Sequence, residues 1–373
     1  MQFTDRLLQE LTSLRSVGSF RQLPIVPEGV VNLSGNDYLG LLEDEALREA
    51  FYAQLKPRAS LLSAASSRLL TGNTPEAIEL EETLAAAYGT EAALVLGSGY
   101  HANTGILPAL IGPKSLILSD RLNHASLIDG IRATGVDFYR FRHNDLAHAR
   151  NYLERYAKDY DEVFVVTESV FSMDGDCTDL EALVQLKRDF PNVVLYLDEA
   201  HGVGVFGDKG LGLATAQGVH QEIDILVGTF GKALCSTGAF VVCSQAIRDT
   251  LVNKMRPFIF TTALPPINLA WTKFVVDALP TMQARRAHLQ TMAAQLAEAI
   301  RSKTGACVST SQIVPYVIGS NEDAIQEAKR FQAAGFYVLP IRPPTVPKGT
   351  ARLRFSLSAA LSPDAFNRLL DVL

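Results

Sequence analysis

Cysteine is scarce in this chain and never closely paired: Cys177, Cys235, Cys243 and Cys307 are the only four in 373 residues, and none forms a CxxC. That argues against a disulfide framework or a zinc site and fits a reducing compartment. Long apolar runs are missing as well, since no uninterrupted stretch approaches the ~18 residues of a membrane span. The amino-terminal MQFTDRLLQELTSLRS is neither basic-then-apolar nor closed by a small-residue cleavage site. A cytoplasmic protein without a signal peptide is therefore expected. Basic charge is not in excess either. Thirty-four Lys+Arg against 40 Asp+Glu give a formal net charge of -6, which argues against a nucleic-acid partner. An anionic small molecule stays open, because local donors can hold one against the global charge.

What is present is an ordinary globular composition, 47% hydrophobic and 20% charged. Phe3, Leu7, Leu8, Leu11 and Leu14 fall at helical spacing and predict a docking helix. A short strand and turn follow in VVNLSGNDYLGL (30–41). From about residue 75 the pattern alternates. Helical EAIELEETLAAAYG (76–89) stops at Gly89, and AALVLG (92–97), SLILS (115–119), DEVFVVTE (161–168), NVVLYLDEA (192–200) and DILVGTF (224–230) read as buried strands. Continuous apolar strands alternating with helices predict an α/β fold, a mostly parallel central sheet flanked by helices. Beyond residue 270 the grammar changes to a long helical region (267–304), strand-like pieces at 311–319, 337–341 and 351–359, and a helix at 321–335. The expected organisation is an N-terminal helix and strand over 1–40, a large α/β domain over 41–270 and a smaller α+β C-terminal domain over 271–373.

Open parallel sheets bind ligands beyond the carboxyl ends of their strands. After AALVL comes Gly97-Ser98-Gly99-Tyr100, a glycine turn entering a helix, where backbone N–H groups can hold a phosphate. After SLILS come Asp120, Asn123 and His124; after DEVFVV come Glu168 and FSMDGD (171–176). Asp198 ends the next strand with His201 three residues on, and Lys232 follows DILVGTFG. Each has a plainer reading: a packing turn, a polar helix start, a structural pair, a lysine that reaches solvent. Together they supply an amine, a buried carboxylate, two imidazoles and a phosphate turn on one sheet. That set suits pyridoxal 5'-phosphate (PLP), with the lysine as its covalent anchor, the aspartate holding the pyridine nitrogen protonated and the turn holding the phosphate. A metal reading through His143 and His148, or Asp198 with His201, lacks a strong ligand spacing, and no GxSxG supports a serine nucleophile.

In order along the chain, SGNDYLGL (34–41), DRLNHASLIDG (120–130), FSMDGD (171–176), LDEAHG (197–202) and TFGK ending at Lys232 resemble the α-oxoamine synthase family. Its members are fold-type-I PLP enzymes that condense an amino acid with an acyl thioester and release CO2. The resemblance implies that Lys232 is the Schiff-base lysine, Asp198 the partner of the pyridine nitrogen, His201 the neighbour of the phenolic oxygen and His124 the ring-stacking histidine. It implies phosphate and polar contacts at Gly99, Tyr100, Ser172 and Thr229. Substrate contacts are implied at Arg354, which grips the amino-acid carboxylate, and at Asn36, Arg21 and Thr345. Thr261 and Thr262, in FTTALPP, resemble the segment that reaches a neighbouring subunit's phosphate, which implies a homodimer with shared sites. IRPPTVPKGTARLR (341–354) resembles the branch that joins L-alanine to a pimeloyl thioester, carried on CoA or acyl carrier protein, in biotin biosynthesis. A glycine-using member such as glycine C-acetyltransferase is the alternative. Two features depart from the family: SAASSRLLTGN (63–73) has Ala and Ser where glycines are usual, and a histidine common shortly after that loop is replaced near Ala77.

Overall fold

The computed structural model describes residues 3–373. The chain folds into two compact units. The larger comprises Asp37–Ser172 and Asp176–His288; the smaller comprises the chain up to Asn36, the tripeptide Met173–Gly175 and Leu289–Leu373. The passage between them falls at 288/289, inside the helix Gln283–Thr304, and not near 270. The amino-terminal segment is likewise no separate piece, because Val31 and Asn32 pair in parallel with Phe336 and Tyr337.

Seven strands form the sheet of the larger unit: β1 (Ala92–Leu96), β2 (Ser115–Asp120), β3 (Phe138–Phe141), β4 (Glu162–Glu168), β5 (Val193–Asp198), β6 (Ile225–Thr229) and β7 (Ala239–Cys243). Their order is β1-β7-β6-β5-β4-β2-β3, parallel throughout except that β7 opposes both neighbours. Leu96 and Thr229 both pair with Ala239, so β1 and β6 run the same way and end at the same edge. Sequence reading missed β3 and β7.

The strands read as apolar runs because both faces are covered: β1 is buried at every position and β4 at all but its first. On one face Leu94, Leu96, Phe164, Val166, Ile225, Val227 and Val241 alternate along their strands. They pack with Ile106, Leu127, Ile131 and Leu251 of the helices Gly99–Leu110, Ala125–Thr134 and Gln245–Lys254. Burying one such aliphatic side chain contributes about 1.5–3 kcal/mol. The helix Pro75–Tyr88 packs on β1 and ends at Gly89, whose φ of +62° closes the last turn.

In the smaller unit, Ala351–Ser356 lies antiparallel between Pro340–Ile341 and Ile313–Gly319. The helix Asn321–Ala333 packs against it, with Phe331 edge-on to Phe355. The expected strand at 337–341 is two strands in two sheets. The helical region 267–304 is also divided, into Pro266–Ala278 and Gln283–Thr304, by a tighter turn over Leu279–Met282 that contains Pro280. The helix Phe3–Ser16 forms as its spacing implies, but none of its residues is buried in the chain. Among the described residues no helix is long and apolar enough to cross a membrane.

Candidate active site

Six strands end at one edge of the large sheet, and the polar residues found there follow directly from those ends. β1 runs into Gly97-Ser98-Gly99, and the Ser98 hydroxyl accepts a hydrogen bond from His101 N at 3.1 Å, starting the helix Gly99–Leu110. Helix-start N–H groups, with the positive end of the helix dipole, suit a phosphate. Gly99 faces β6: a Cβ there would lie 3.8 Å from the Thr229 side chain. The Tyr100 hydroxyl donates to Asp129 Oδ2 at 2.6 Å.

Asp198 ends β5 with its carboxylate buried, between Glu168 of β4 and Val227 of β6 in the strand register. Its Oδ1 accepts from Ala200 N at 2.8 Å and its Oδ2 from Asn103 Nδ2 at 2.7 Å. The same Asn103 amide donates to Ser126 Oγ at 2.9 Å, while Asn103 Oδ1 accepts from the Tyr196 hydroxyl at 2.7 Å. Ser126 Oγ in turn lies 2.7 Å from His124 Nδ1. One buried chain of polar groups therefore joins the strand-end aspartate to the histidine. Gly130 makes the helix contact possible, since a Cβ there would fall 2.0 Å from the Asn103 carbonyl oxygen.

The His124 ring is open to solvent on one side. Enough protein surrounds it that desolvation lowers its pKa, with Lys232 adding to the effect and Asp198 and Asp129 opposing it. That direction favours the neutral imidazole, whose face can pack against a planar ring. Its backbone N–H donates to Glu168 Oε1 at 2.6 Å. Burial, reinforced by the Asp198 charge, holds the Glu168 carboxyl well above the usual carboxylate range. His201 is buried, with Nδ1 at 2.6 Å from the Tyr38 hydroxyl.

Lys232 is half-buried in the tight connection between β6 and β7, where Cys235 N donates to Lys232 O at 2.9 Å and Phe230 N to Gly238 O at 2.9 Å. Its charge acts on both His124 and Glu168, which places its amine among the strand-end groups. Ser172 lies in the loop after β4. Thr261 and Thr262 line a cavity of about 20 Å³ with this chain's own Gly97 and Arg68, room for about one water.

The remaining four expected residues belong to the smaller unit and fall into two pairs. Arg21 Nη2 donates to Thr345 Oγ1 at 3.1 Å. Arg354, buried on its strand, donates from Nη2 to Asn36 Oδ1 at 3.3 Å. Sequence reading assigned no role to Asn103, Ser126, Tyr196 or Tyr38. Asn103 follows the glycine turn by four residues, but nothing in its spacing announces a partner 95 residues away.

The larger unit fits PLP on its own geometry. A buried carboxylate with both oxygens hydrogen-bonded is placed to pair with a pyridinium, an amine sits on the neighbouring strand end, and a helix start faces Thr229 for the phosphate. Fold and site together define a fold-type-I PLP enzyme. Residues 28–373 match the model of the family described as aminotransferase class I and II. The chain belongs to that family, as a PLP-dependent acyltransferase of its α-oxoamine synthase branch. It is 55% identical over 362 residues to a protein of Pasteurella multocida, covering 94% of each chain, and 50% identical over 370 residues to one of Haemophilus influenzae, covering 96% and 97%. Both carry the name "Putative 8-amino-7-oxononanoate synthase". Among solved structures, a PLP-containing serine palmitoyltransferase from S. paucimobilis superposes with a TM-score of 0.89 at 30% identity, covering 99% of this chain and 96% of the other. An 8-amino-7-oxononanoate synthase from Francisella tularensis gives 0.78 at 27% identity, covering 93% and 97%.

Proposed function

We propose that this enzyme condenses L-alanine with a pimeloyl thioester to give 8-amino-7-oxononanoate, CO2 and the free thiol carrier, a step of biotin biosynthesis. The observation that carries the reading is the strand-end set of Lys232, Asp198, His201 and His124 within a chain 55% identical, end to end, to a relative of that name. In the net reaction the acyl group replaces the carboxylate on alanine Cα: the Cα proton is taken, a bond forms from Cα to the acyl carbonyl carbon as the thiolate departs and is protonated, the carboxylate then leaves as CO2, and a proton returns to Cα.

PLP, when bound, supplies the electron sink that makes alanine Cα acidic. Lys232 would anchor the cofactor, and its amine would take the alanine Cα proton as general base. Asp198 would pair with the protonated pyridine nitrogen through its hydrogen-bonded carboxylate. His201 would hydrogen-bond the phenolic oxygen, and His124 would pack against the ring. Gly99, Tyr100, Ser172 and Thr229 hold the phosphate and polar edge. Arg354 grips the alanine carboxylate by charge-assisted hydrogen bonds, with Asn36 beside it. Arg21 and Thr345 contact substrate. A homodimer, in which Thr261 and Thr262 reach the partner's phosphate, completes the assembly.

The test is product mass from PLP-loaded protein given L-alanine and glycine in competition, with pimeloyl-CoA and acetyl-CoA in parallel. A dominant alanine–pimeloyl product with release of CO2 is expected. A dominant glycine–acetyl product would overturn the substrate reading and leave the acyltransferase.

A further inference from the structure

His143 stands just beyond β3, and no step above uses it. Its Nδ1 is 2.9 Å from Asp120 Oδ1 and its Nε2 2.8 Å from Asp176 Oδ2. Both ring nitrogens face carboxylates, so both donate and the ring is an imidazolium. Burial opposes that charge, but the two carboxylates outweigh it and push the pKa up to about 10. Phe171 meets the ring edge-on, centroids 4.3 Å apart, and fixes its plane. Asn144 repeats the bridge: its backbone N–H donates to Asp120 Oδ2 at 2.8 Å and its side-chain amide to Asp176 Oδ2 at 2.5 Å.

The two carboxylates belong to different loops. Asp120 also accepts from Leu122 N at 2.7 Å, in the turn that leads to His124. Asp176 closes the loop that carries Ser172: Phe171 N donates to Asp176 O at 3.0 Å, and Val170 bridges Cys177. We propose that His143, bridging Asp120 and Asp176, is a positioning residue of the cofactor site that staples the turn bearing His124 to the loop bearing Ser172. This rests on the reading of His124 and Ser172 as cofactor contacts. Without the imidazolium, two carboxylates from separate loops face each other with no cation between them, and only the neutral Asn144 still joins the loops.

The test titrates PLP into apoprotein and records affinity, visible circular dichroism of the bound cofactor and apoprotein melting, for wild type, H143Q, H143R, D176N, S172A and H124A. H143Q and D176N are expected to weaken PLP binding about tenfold or more, the loss of a charge-assisted contact, and to diminish the dichroic band. H143R, which can face both carboxylates, restores part of each. The H143Q/S172A double variant should be weaker by less than the product of the single effects, because both act through one loop. If H143Q fails to fold, D176N carries the comparison. Binding within twofold of wild type with an unchanged band in H143Q and D176N, whatever their melting temperatures, overturns the staple. If S172A and H124A also leave affinity and dichroism unchanged, the cofactor-contact reading fails instead, and the staple with it.

Discussion

Asn103 donates to Asp198 Oδ2 at 2.7 Å across 95 residues of sequence, and its own carbonyl is held by the Tyr196 hydroxyl. The orientation of the amide is thereby settled, since only its nitrogen can serve a carboxylate and only its oxygen can serve a phenol donor. Asp198 is fixed from the helix Gly99–Leu110, the same element whose start faces Thr229. One helix thus sets the spacing between the proposed phosphate and ring-nitrogen contacts.

Asn103→Leu keeps the volume and removes every bond. It leaves the Tyr196 hydroxyl, one Asp198 oxygen and Ser126 short of a partner in a buried site. A stability loss of about 2–4 kcal/mol is expected from those unsatisfied groups, measured by urea denaturation. Exchange of the alanine Cα proton with deuterated water should slow as well. Unchanged exchange would show that Asp198 needs no help in keeping its place.

Lys232→Ala tests the anchor itself. Turnover should fall by at least about 10³-fold, the scale of losing a positioned base and nucleophile. Borohydride reduction of the PLP-loaded wild type should add the mass of the cofactor to the peptide containing Lys232, and the variant should show no such adduct. An adduct at another lysine would move the anchor.

Much of this site was legible because parallel strands buried on both faces leave continuous apolar runs, and the polar residue that ends each run is where ligands gather. Asp198, Lys232, His201 and His124 stand out by that rule. β3, with Phe138 and Arg140 facing outward and Phe141 buried, is an edge strand of mixed pattern and did not. β7 did carry a signal, an apolar run between Gly238 and Ser244, but it enters the sheet antiparallel after the shortest connection and breaks the strand–helix rhythm. The split of 337–341 has no local cause in sequence, because Tyr337 pairs with Asn32 while Ile341 pairs with Arg352. Contacts such as Tyr38 with His201 depend on closure of the whole unit.

The imidazolium at His143 also makes a pH prediction. Its pKa of about 10 in the folded protein stands above the ordinary 6.5 of an unfolded histidine. Between those values the folded state binds more protons, so stability falls as pH rises. The contribution is fully present below about pH 6.5 and lost by about pH 10. The groups facing the ring are Asp120 and Asp176, with Phe171 at its edge. Urea midpoints of wild type and H143Q should therefore converge as pH is raised through that window. Parallel curves would mean that the ring is not held charged.

Ala65 is one of three non-glycine residues with positive φ among the described residues, at +52°, in the loop where the family resemblance leads one to expect glycines. A Cβ in the left-handed region costs about 1–2 kcal/mol. Glycine there removes that cost but has more freedom to lose on folding, about 0.5–1 kcal/mol. The difference favours glycine, so Ala65→Gly should stabilise the protein by up to about 1 kcal/mol. The loop around it is already tied down: Ala263 N donates to Ser66 O at 2.9 Å, Gly72 N to Ser67 O at 2.9 Å, and Arg68 pairs with Glu81 at 2.9 Å. The substitution should therefore act locally, raising the urea midpoint without changing the slope of the transition. A lowered midpoint would show that the loop gains more from alanine's restricted unfolded chain than it loses to the strained backbone, and that the Ala/Ser composition of 63–73 is itself stabilising.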